Sequence, residues 1–280
     1  MQTIQTLDDM RAVSRRAKRD GKRVGFVPTM GALHEGHLSL VRAARERCEF
    51  VVVSIFVNPT QFGPNEDFAK YPRALKEDSK LLAAAKVDAI FAPEVEEIYP
   101  AGAVTWVEVS GMSETLCGRF RPGHFRGVAT VVSKLFNIVE PDVAFFGQKD
   151  AAQCAILKKM VRDLAQPVEV VICPTVRESD GLAMSSRNAY LSSEDRSRAL
   201  ALYQSLKKVN ALYADGQRDS TRLIAAGKEL LSAESGVSVD YLEIVDAATL
   251  EPLAAAVSGA LVAVAARVGG TRLIDNILLP

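Results

Sequence analysis

A chain of 280 residues is long for one compact domain and comfortable for two, since domains cluster near ~100–150 residues. Hydrophobic residues make up 48% and charged residues 24%, a balance that allows a well-buried core without disulfide or metal staples. Formal net charge is +0, which excludes a broad electrostatic attraction to nucleic acid or to an acidic membrane.

The opening segment MQTIQTLDDMRAVSRRAKRDGK carries charges throughout and has no apolar run of the signal-peptide kind. Within it, Leu7, Met10, Val13 and Ala17 fall at helical spacing, which predicts a helix over 6–19 with Thr6 as N-cap. KRVGFVPTM reads as a buried strand ending at a proline, HLSLVRAARERC as a helix, and FVVVSIFVN as a continuous apolar strand covered on both faces. The helix LKEDSKLLAAAKV and the strand DAIFAP follow, then TWVEV, the helix VATVVSKLFNIV and the strand PDVAFFG. A helix from about Ala151 to Leu164 leads into the strand VEVVICP. Strands alternating with helices indicate parallel βαβ units, so residues 1–175 are expected to form a doubly wound, Rossmann-like α/β domain.

After Arg187 the texture changes. Helices near 193–214 and 219–233 precede VSVDYLEIVD and ALVAVAARVGGTRLIDNILL, in which Gly269-Gly270 marks a hairpin. Residues 176–280 are therefore expected to form a smaller C-terminal α+β domain. The four cysteines, Cys48, Cys117, Cys154 and Cys173, form no CxxC pair and read as buried thiols of a reducing compartment. PLAAAVSGALVAVAARVGG is Ala-rich, interrupted by Ser and Gly, and too short to span a bilayer. A soluble cytoplasmic protein with neither a membrane nor a nucleic-acid partner is the expectation.

In open α/β sheets ligands bind beyond the carboxyl ends of the strands. Four predicted strands are followed there by loops rich in Gly, Pro and hydrogen-bonding side chains: PTMGALHEGH, NPTQFGPNEDFAKYPR, GQKDAAQ and PTVRESDGLAMSSRN. The first holds His34 and His37, two of only three histidines in the chain. Their spacing is not the HExxH of zinc proteases, and no other ligand pattern accompanies them. The alternative is an anion cradle: Gly31 and Gly36 allow close approach of backbone N–H groups, and a helix starting near Gly36 adds its positive end. A plain turn with an N-cap is the third reading. In GQKD, Lys149 is a point charge for phosphate, with Gln148 and Asp150 as hydrogen-bonding groups. In MSSRN, Ser185, Ser186 and Arg187 offer two hydroxyls and a guanidinium fork, and this segment can serve as a hinge. Arg119, Arg121, His124 and Arg126 form a local basic patch, suited to a carboxylate, a phosphate or a subunit partner.

These loops, with CGRFRPGHFRGVATVV, are co-linear over essentially the whole chain, and together they resemble the pantothenate synthetase (pantoate–β-alanine ligase) family. HxGH alone would mark only a broader superfamily of nucleotidyltransferases. The resemblance implies ATP-dependent condensation of pantoate with β-alanine through a pantoyl-adenylate, with release of pyrophosphate and then AMP. It implies that Met30, Gly31, Ala32, Leu33, His34, Glu35, Gly36, His37, Gly147, Gln148, Lys149, Asp150, Val176, Met184, Ser185, Ser186 and Arg187 contact ATP. Gln61 and Gln153 would hold pantoate, His37 would be the family's catalytic histidine, and the enzyme would be a Mg²⁺-dependent homodimer.

The chemistry agrees with those residue types. A carboxylate attacking the α-phosphorus is already ionised at neutral pH and needs no general base. It needs alignment and charge stabilisation, which His34, His37, Lys149, Ser185, Ser186, Arg187 and Mg²⁺ could supply. The amine of the second step must lose a proton, so an acid–base role for a histidine belongs there. The metal ligands are not legible.

Overall fold

The structure, a computed structural model, describes residues 1–64 and 66–280; Asn65, within the predicted NPTQFGPNEDFAKYPR loop, lies outside the described residues. The chain divides into two compact units that interleave along the sequence. The first comprises Met1–Ser113, Arg121–Gly147 and Ile156–Pro174; the second comprises Glu114–Phe120, Gln148–Ala155 and Thr175–Pro280.

The first unit is built on six strands: β1 (Gln2–Ile4), β2 (Val24–Thr29), β3 (Phe50–Ile55), β4 (Ala89–Phe91), β5 (Val143–Gly147) and β6 (Glu169–Cys173). They form one sheet in the order β1-β4-β3-β2-β5-β6, with every pairing parallel. The helices between them are α1 (Leu7–Arg19), α2 (Glu35–Arg47), α3 (Leu75–Ala84), the short α4 (Val95–Ile98) and α6 (His124–Val139). Helix α7 (Ala151–Asp163) runs from the second unit into the first. β3 is Val-rich and buried along its centre because both of its faces are covered, the condition under which a strand loses polar alternation. Phe26 and Phe145, from neighbouring strands, are fully buried, each contributing roughly 1.5–3 kcal/mol by leaving water. Thr6 caps α1 as expected, accepting from the Asp9 amide, and the buried face runs through Met10, Ser14 and Ala17.

β2 has β3 on one side and β5 on the other, so the order of connection reverses there, the topological switch point of an open sheet. β3, β2, β5 and β6 are consecutive neighbours, and all four end at the same sheet edge. These are the four strands whose following loops stood out in the sequence.

Two details lie outside the βαβ pattern. The three-residue β1 pairs with β4 and is too short to show a period. TWVEV is neither helix nor strand. The Val107 amide donates to Thr130 Oγ1 of α6 at 2.9 Å, so this segment is tied to a helix rather than to the sheet.

The second unit carries a three-stranded antiparallel sheet, β7 (Val237–Val245), β8 (Leu261–Val268) and β9 (Thr271–Leu278), in the order β7-β8-β9. Helices α8 (Ser193–Ala214) and α9 (Ser220–Ser232) pack on it through Leu202, Leu206, Leu223 and Leu231 against Leu242, Val262 and Val264. A short helix, α5 (Cys117–Phe120), also belongs to this unit. The predicted hairpin closes at Gly269, whose φ of 56° suits a residue without a Cβ, and Val268 pairs with Thr271. The chain thus has the expected class, a doubly wound parallel sheet with a smaller α+β part. No described helix is long and apolar enough to cross a membrane.

Candidate active site

The loop after β2 is held from within. Thr29 Oγ1 donates to the Ser54 carbonyl at 2.7 Å and accepts from the Gly31 amide at 3.2 Å. The chain then turns through positive φ, 81° at Gly31 and 50° at Ala32. The Ala32 and Leu33 amides donate to the two oxygens of Asp78, at 2.9 and 2.8 Å. Asp78 lies on α3 with only 2% of its surface exposed, and its carboxyl is raised above the ordinary aspartate value because burial outweighs the two amides. A Cβ at Gly31 would stand 3.0 Å from Asp78 Oδ2 and 3.1 Å from Ile55 Cγ2. Gly31 is therefore fixed by both its φ and its neighbours.

His34 is the N-cap of α2, and the two histidines bind each other's backbone surroundings. His34 Nδ1 accepts from the Gly36 amide at 3.2 Å, while His37 Nδ1 accepts from the His34 amide at 3.3 Å. The His37 amide donates to the His34 carbonyl at 2.8 Å, and the rings lie 4.2 Å apart. The expected cradle of backbone N–H groups is thus corrected. The amides of Gly31, Ala32, Leu33, His34, Gly36 and His37 already have acceptors within the protein. What the arrangement fixes is the imidazoles. An Nδ1 that accepts a hydrogen bond carries no proton, so both neutral rings have theirs on Nε2. Glu35, in the first turn of α2, is paired with Arg42. Among the described residues no group of three His, Cys, Asp or Glu side chains is placed to hold a metal ion.

In the loop after β3 the structure brings Gln61 to Met30, with Gln61 Nε2 donating to the sulfur at 3.1 Å. Asn58, 1% exposed, donates to Gln61 Oε1 at 3.1 Å. The predicted basic patch is used up in separate pairs. Arg119 binds Glu243 at 2.7 Å, Arg121 binds Glu66, and the Arg126 guanidinium lies 4.9 Å from the Trp106 ring centroid.

In the second unit, Gln148–Asp150 form a 3-10 turn immediately after Gly147. Asn276 of β9 holds it: Gln148 Nε2 donates to Asn276 Oδ1 at 3.1 Å, and Asn276 Nδ2 donates to the carbonyls of Gln148 and Lys149 at 2.9 and 2.8 Å. Lys149 Nζ stands 3.8 Å from Asp150 Oδ1. Gln153 lies one turn on, in α7. The neighbouring Asp275 takes Arg177 bidentately at 2.6 and 2.9 Å. The Met184 amide donates to the Val176 carbonyl at 3.0 Å, which unites two further predicted residues. Ser185 caps the 3-10 turn Ser186–Tyr190 by accepting from the Arg187 amide at 3.2 Å. Asn188 closes the segment, donating to Glu178 Oε1 and to the Ala183 carbonyl at 2.8 and 3.1 Å.

The family model for pantoate-beta-alanine ligase matches residues 2–278. The chain belongs to the pantoate–β-alanine ligase family. It is 58% identical to a pantothenate synthetase of Acidobacterium capsulatum over 100% of this chain and 97% of that one. It is 57% identical to one from Thermotoga petrophila, with both chains fully covered. A pantothenate synthetase structure from Thermus thermophilus matches with a TM-score of 0.95 at 50% identity, covering 100% of both chains. A pantoate-beta-alanine ligase structure from Francisella tularensis, complexed with beta-gamma ATP and beta-alanine, matches with a TM-score of 0.81 at 34% identity, covering 99% of this chain and 97% of that one.

In this ligase the residues that sequence reading missed are those that hold the loops: Asp78, Asn58, Asp275 and Asn276. Each is at most 4% exposed. A buried polar side chain is a signal in a structure, but its burial is not visible in a sequence.

Proposed function

We propose that this ligase condenses pantoate with β-alanine using ATP, through a pantoyl-adenylate, releasing pyrophosphate in the first half-reaction and AMP in the second. The observation that carries the reading is the reciprocal cap of His34 and His37 at the start of α2, beyond the end of β2 at the switch point. It sets two Nε2–H donors where a ligand of an open α/β sheet binds. The F. tularensis ligase complexed with beta-gamma ATP and beta-alanine supports ATP and β-alanine as substrates here.

In the proposed adenylation, the pantoate carboxylate attacks the α-phosphorus. The new bond is carboxyl oxygen to phosphorus, and the bond that breaks is phosphorus to the bridging oxygen of pyrophosphate. Residues 30–37, 147–150, 176 and 184–187 contact the nucleotide in this reading. His34, His37, Lys149, Ser185, Ser186 and Arg187 stabilise charge on phosphate oxygens, each such donor typically worth about 2.7–4 kcal/mol. Gln61 and Gln153 bind pantoate. In the second half-reaction the deprotonated β-alanine amine attacks the acyl carbon: the carbon–nitrogen bond forms, the bond from acyl carbon to phosphate oxygen breaks, AMP leaves, and the remaining nitrogen proton passes to water.

Mg²⁺ fits a site without a protein cage, because it is usually held by phosphates, waters and one or two carboxylates. Asp150, beside Lys149, is the carboxylate on hand, and bound Mg²⁺ would neutralise triphosphate charge. We also propose a homodimer, supported by exposed Val104 and Trp106, and a cytoplasmic location, supported by four buried cysteine thiols. The segment 184–187, which lies within the second unit, is the proposed hinge segment.

The test is an assay in which pantoate and β-alanine are omitted in turn. Pyrophosphate release with ATP and pantoate alone, and AMP release only when β-alanine is added, is the expected result. Pyrophosphate release that requires β-alanine would remove the adenylate.

A further inference from the structure

Gln61 is held at both ends by residues the proposed chemistry does not use. At the main chain, His124 Nδ1 lies 2.8 Å from the Gln61 carbonyl oxygen and Arg121 Nη2 donates to the same oxygen at 3.3 Å. A carbonyl only accepts, so His124 Nδ1 carries the proton. On the far side of the ring, Arg121 Nη1 lies 3.0 Å from His124 Nε2, and a guanidinium only donates, so Nε2 must accept. One neutral tautomer satisfies both contacts. A protonated ring would turn an N–H toward the guanidinium.

Arg121 is itself fixed. It binds Glu66 bidentately, Nε to Oε1 at 2.7 Å and Nη2 to Oε2 at 2.6 Å. Their side chains are 14% and 25% exposed, so the fork is largely shielded from water. At the side-chain end, Asn58 Nδ2 donates both to Gln61 Oε1 at 3.1 Å and to the Gly127 carbonyl at 3.2 Å. Asn58 Oδ1 accepts from Thr60 Oγ1 and Tyr99 Oη, each at 2.9 Å, so this buried amide is committed in one orientation. Because Oε1 of Gln61 accepts from Asn58, its Nε2 is left as the donor end, one N–H reaching the Met30 sulfur at 3.1 Å. Gly127 completes the fit: a Cβ there would stand 2.3 Å from the Thr60 carbonyl oxygen and 2.8 Å from the Gln61 amide nitrogen. Helix α6 therefore lies directly against the Thr60–Gln61 peptide, which no other residue at 127 would allow without a shift.

We propose that Arg121, His124 and Gly127, with Glu66 behind them, are positioning residues that set pantoate affinity by fixing Gln61 with its amide N–H toward the substrate. This rests on the reading of Gln61 as a pantoate ligand. It gives the RPGHFRG segment a role that its charge does not reveal: Arg121, already paired with Glu66, and the His124 ring organise a glutamine main chain.

The test is steady-state kinetics on His124→Ala, His124→Asn, Gln61→Ala and the His124→Ala/Gln61→Ala double variant. His124→Ala is expected to raise the KM for pantoate roughly tenfold, the scale of a small misplacement, with the KM for ATP unchanged. An asparagine amide nitrogen can take the place of imidazole Nδ1, so His124→Asn should recover most of the loss. In the Gln61→Ala background, His124→Ala should add nothing, because the residue it positions is gone. An unchanged pantoate KM in His124→Ala, alongside a raised one in Gln61→Ala, overturns the proposal and leaves the Gln61 assignment standing. An effect of His124→Ala that persists in the double variant also overturns it. If Gln61→Ala itself leaves the pantoate KM unchanged, the assignment of Gln61 falls and the proposal falls with it. Melting curves identify a variant that is unfolded, and His124→Asn then carries the test.

Discussion

Gln148 and Asn276 hold each other by a reciprocal pair of amide hydrogen bonds: Gln148 Nε2 donates to Asn276 Oδ1, and Asn276 Nδ2 returns a bond to the Gln148 carbonyl. The same Nδ2 group donates to the Lys149 carbonyl at 2.8 Å. A strand of the antiparallel sheet thereby fixes the backbone of the turn that carries the proposed phosphate-binding lysine. Asp275, the residue before, fixes Arg177 through two further bonds. Two adjacent residues of β9 thus organise two of the loops that stood out in the sequence.

Replacing Asn276 tests that relationship. Asn276→Ala removes the side-chain donor of two carbonyl oxygens on half-buried residues, which is expected to cost about 0.5–1.5 kcal/mol for each hydrogen bond lost. It also frees Lys149 to wander, so kcat/KM for ATP is expected to fall about tenfold or more while the KM for pantoate changes little. Urea unfolding and initial-rate kinetics measure the two effects. An unfolding midpoint and an ATP dependence that both match the parent would show that Asn276 positions nothing.

Two glycines separate packing from ligand approach. At Gly147 an added Cβ would meet no atom within 4 Å, so Gly147→Ala is expected to fold normally. If nucleotide passes close to this backbone, as proposed, the same substitution raises the KM for ATP. At Gly127, where the Cβ would stand 2.3 Å from a carbonyl oxygen, the alanine variant is expected to lose about 1–3 kcal/mol of stability by overpacking. Thermal melts together with ATP titrations distinguish the cases. A Gly147→Ala enzyme with normal stability and a normal ATP KM would remove Gly147 from the binding residues.

Asp78 gives a pH signature. Its folded-state pKa is raised, burial being the larger cause and the two amide donors opposing it. A carboxyl with a raised folded pKa holds its proton longer in the folded state than in the unfolded one. Its contribution to stability is therefore largest below the ordinary aspartate value and declines as pH rises through the folded pKa. Asp78→Asn removes that decline, so the difference in unfolding free energy between variant and parent should drift in favour of the variant across this window. The asparagine also loses one of the two acceptors for Ala32 and Leu33, so it is expected to be less active at every pH. A pH-independent difference in stability would contradict the assignment.

The strands were legible because their chemistry is local. FVVVSI has the β-branched composition of a strand covered on both faces, and the four polar loops follow strands that prove to be consecutive neighbours in the sheet. Gly269 announced the hairpin through a backbone requirement. The supports of the loops were not legible, because they act over distance in the chain. Asp78 binds an amide 46 residues away and Asn276 a carbonyl 127 residues away. In sequence nothing sets Asp275 and Asn276 apart from solvated polar residues, whereas both side chains are buried. TWVEV is the converse case. Its alternation imitates a strand, but its backbone is tied to Thr130. The backbone cradle failed for a related reason: glycines permit an anion to approach, but they do not reveal that the amides are already bound.

The reciprocal cap of His34 and His37 bears on whether His37 moves a proton. To take a proton from the β-alanine amine, a neutral imidazole must offer its unprotonated nitrogen. In His37 that nitrogen is Nδ1, which accepts from the His34 amide at 3.3 Å. Protonating it would break the cap at the start of α2, so the geometry favours His37 as an Nε2–H donor to phosphate oxygens. A glutamine can place an N–H near the position of imidazole Nε2, whereas an asparagine reaches only to Nδ1. His37→Gln is therefore expected to retain more adenylation activity than His37→Asn, whose loss should approach the about 10²–10³-fold typical of removing one preorganised donor. With pantoyl-adenylate supplied, the pH–rate profile of the β-alanine step should keep its shape in His37→Gln, since the amine's own ionisation governs it. Loss of the acidic limb in that variant, with the rest of the profile intact, would instead identify His37 as the base.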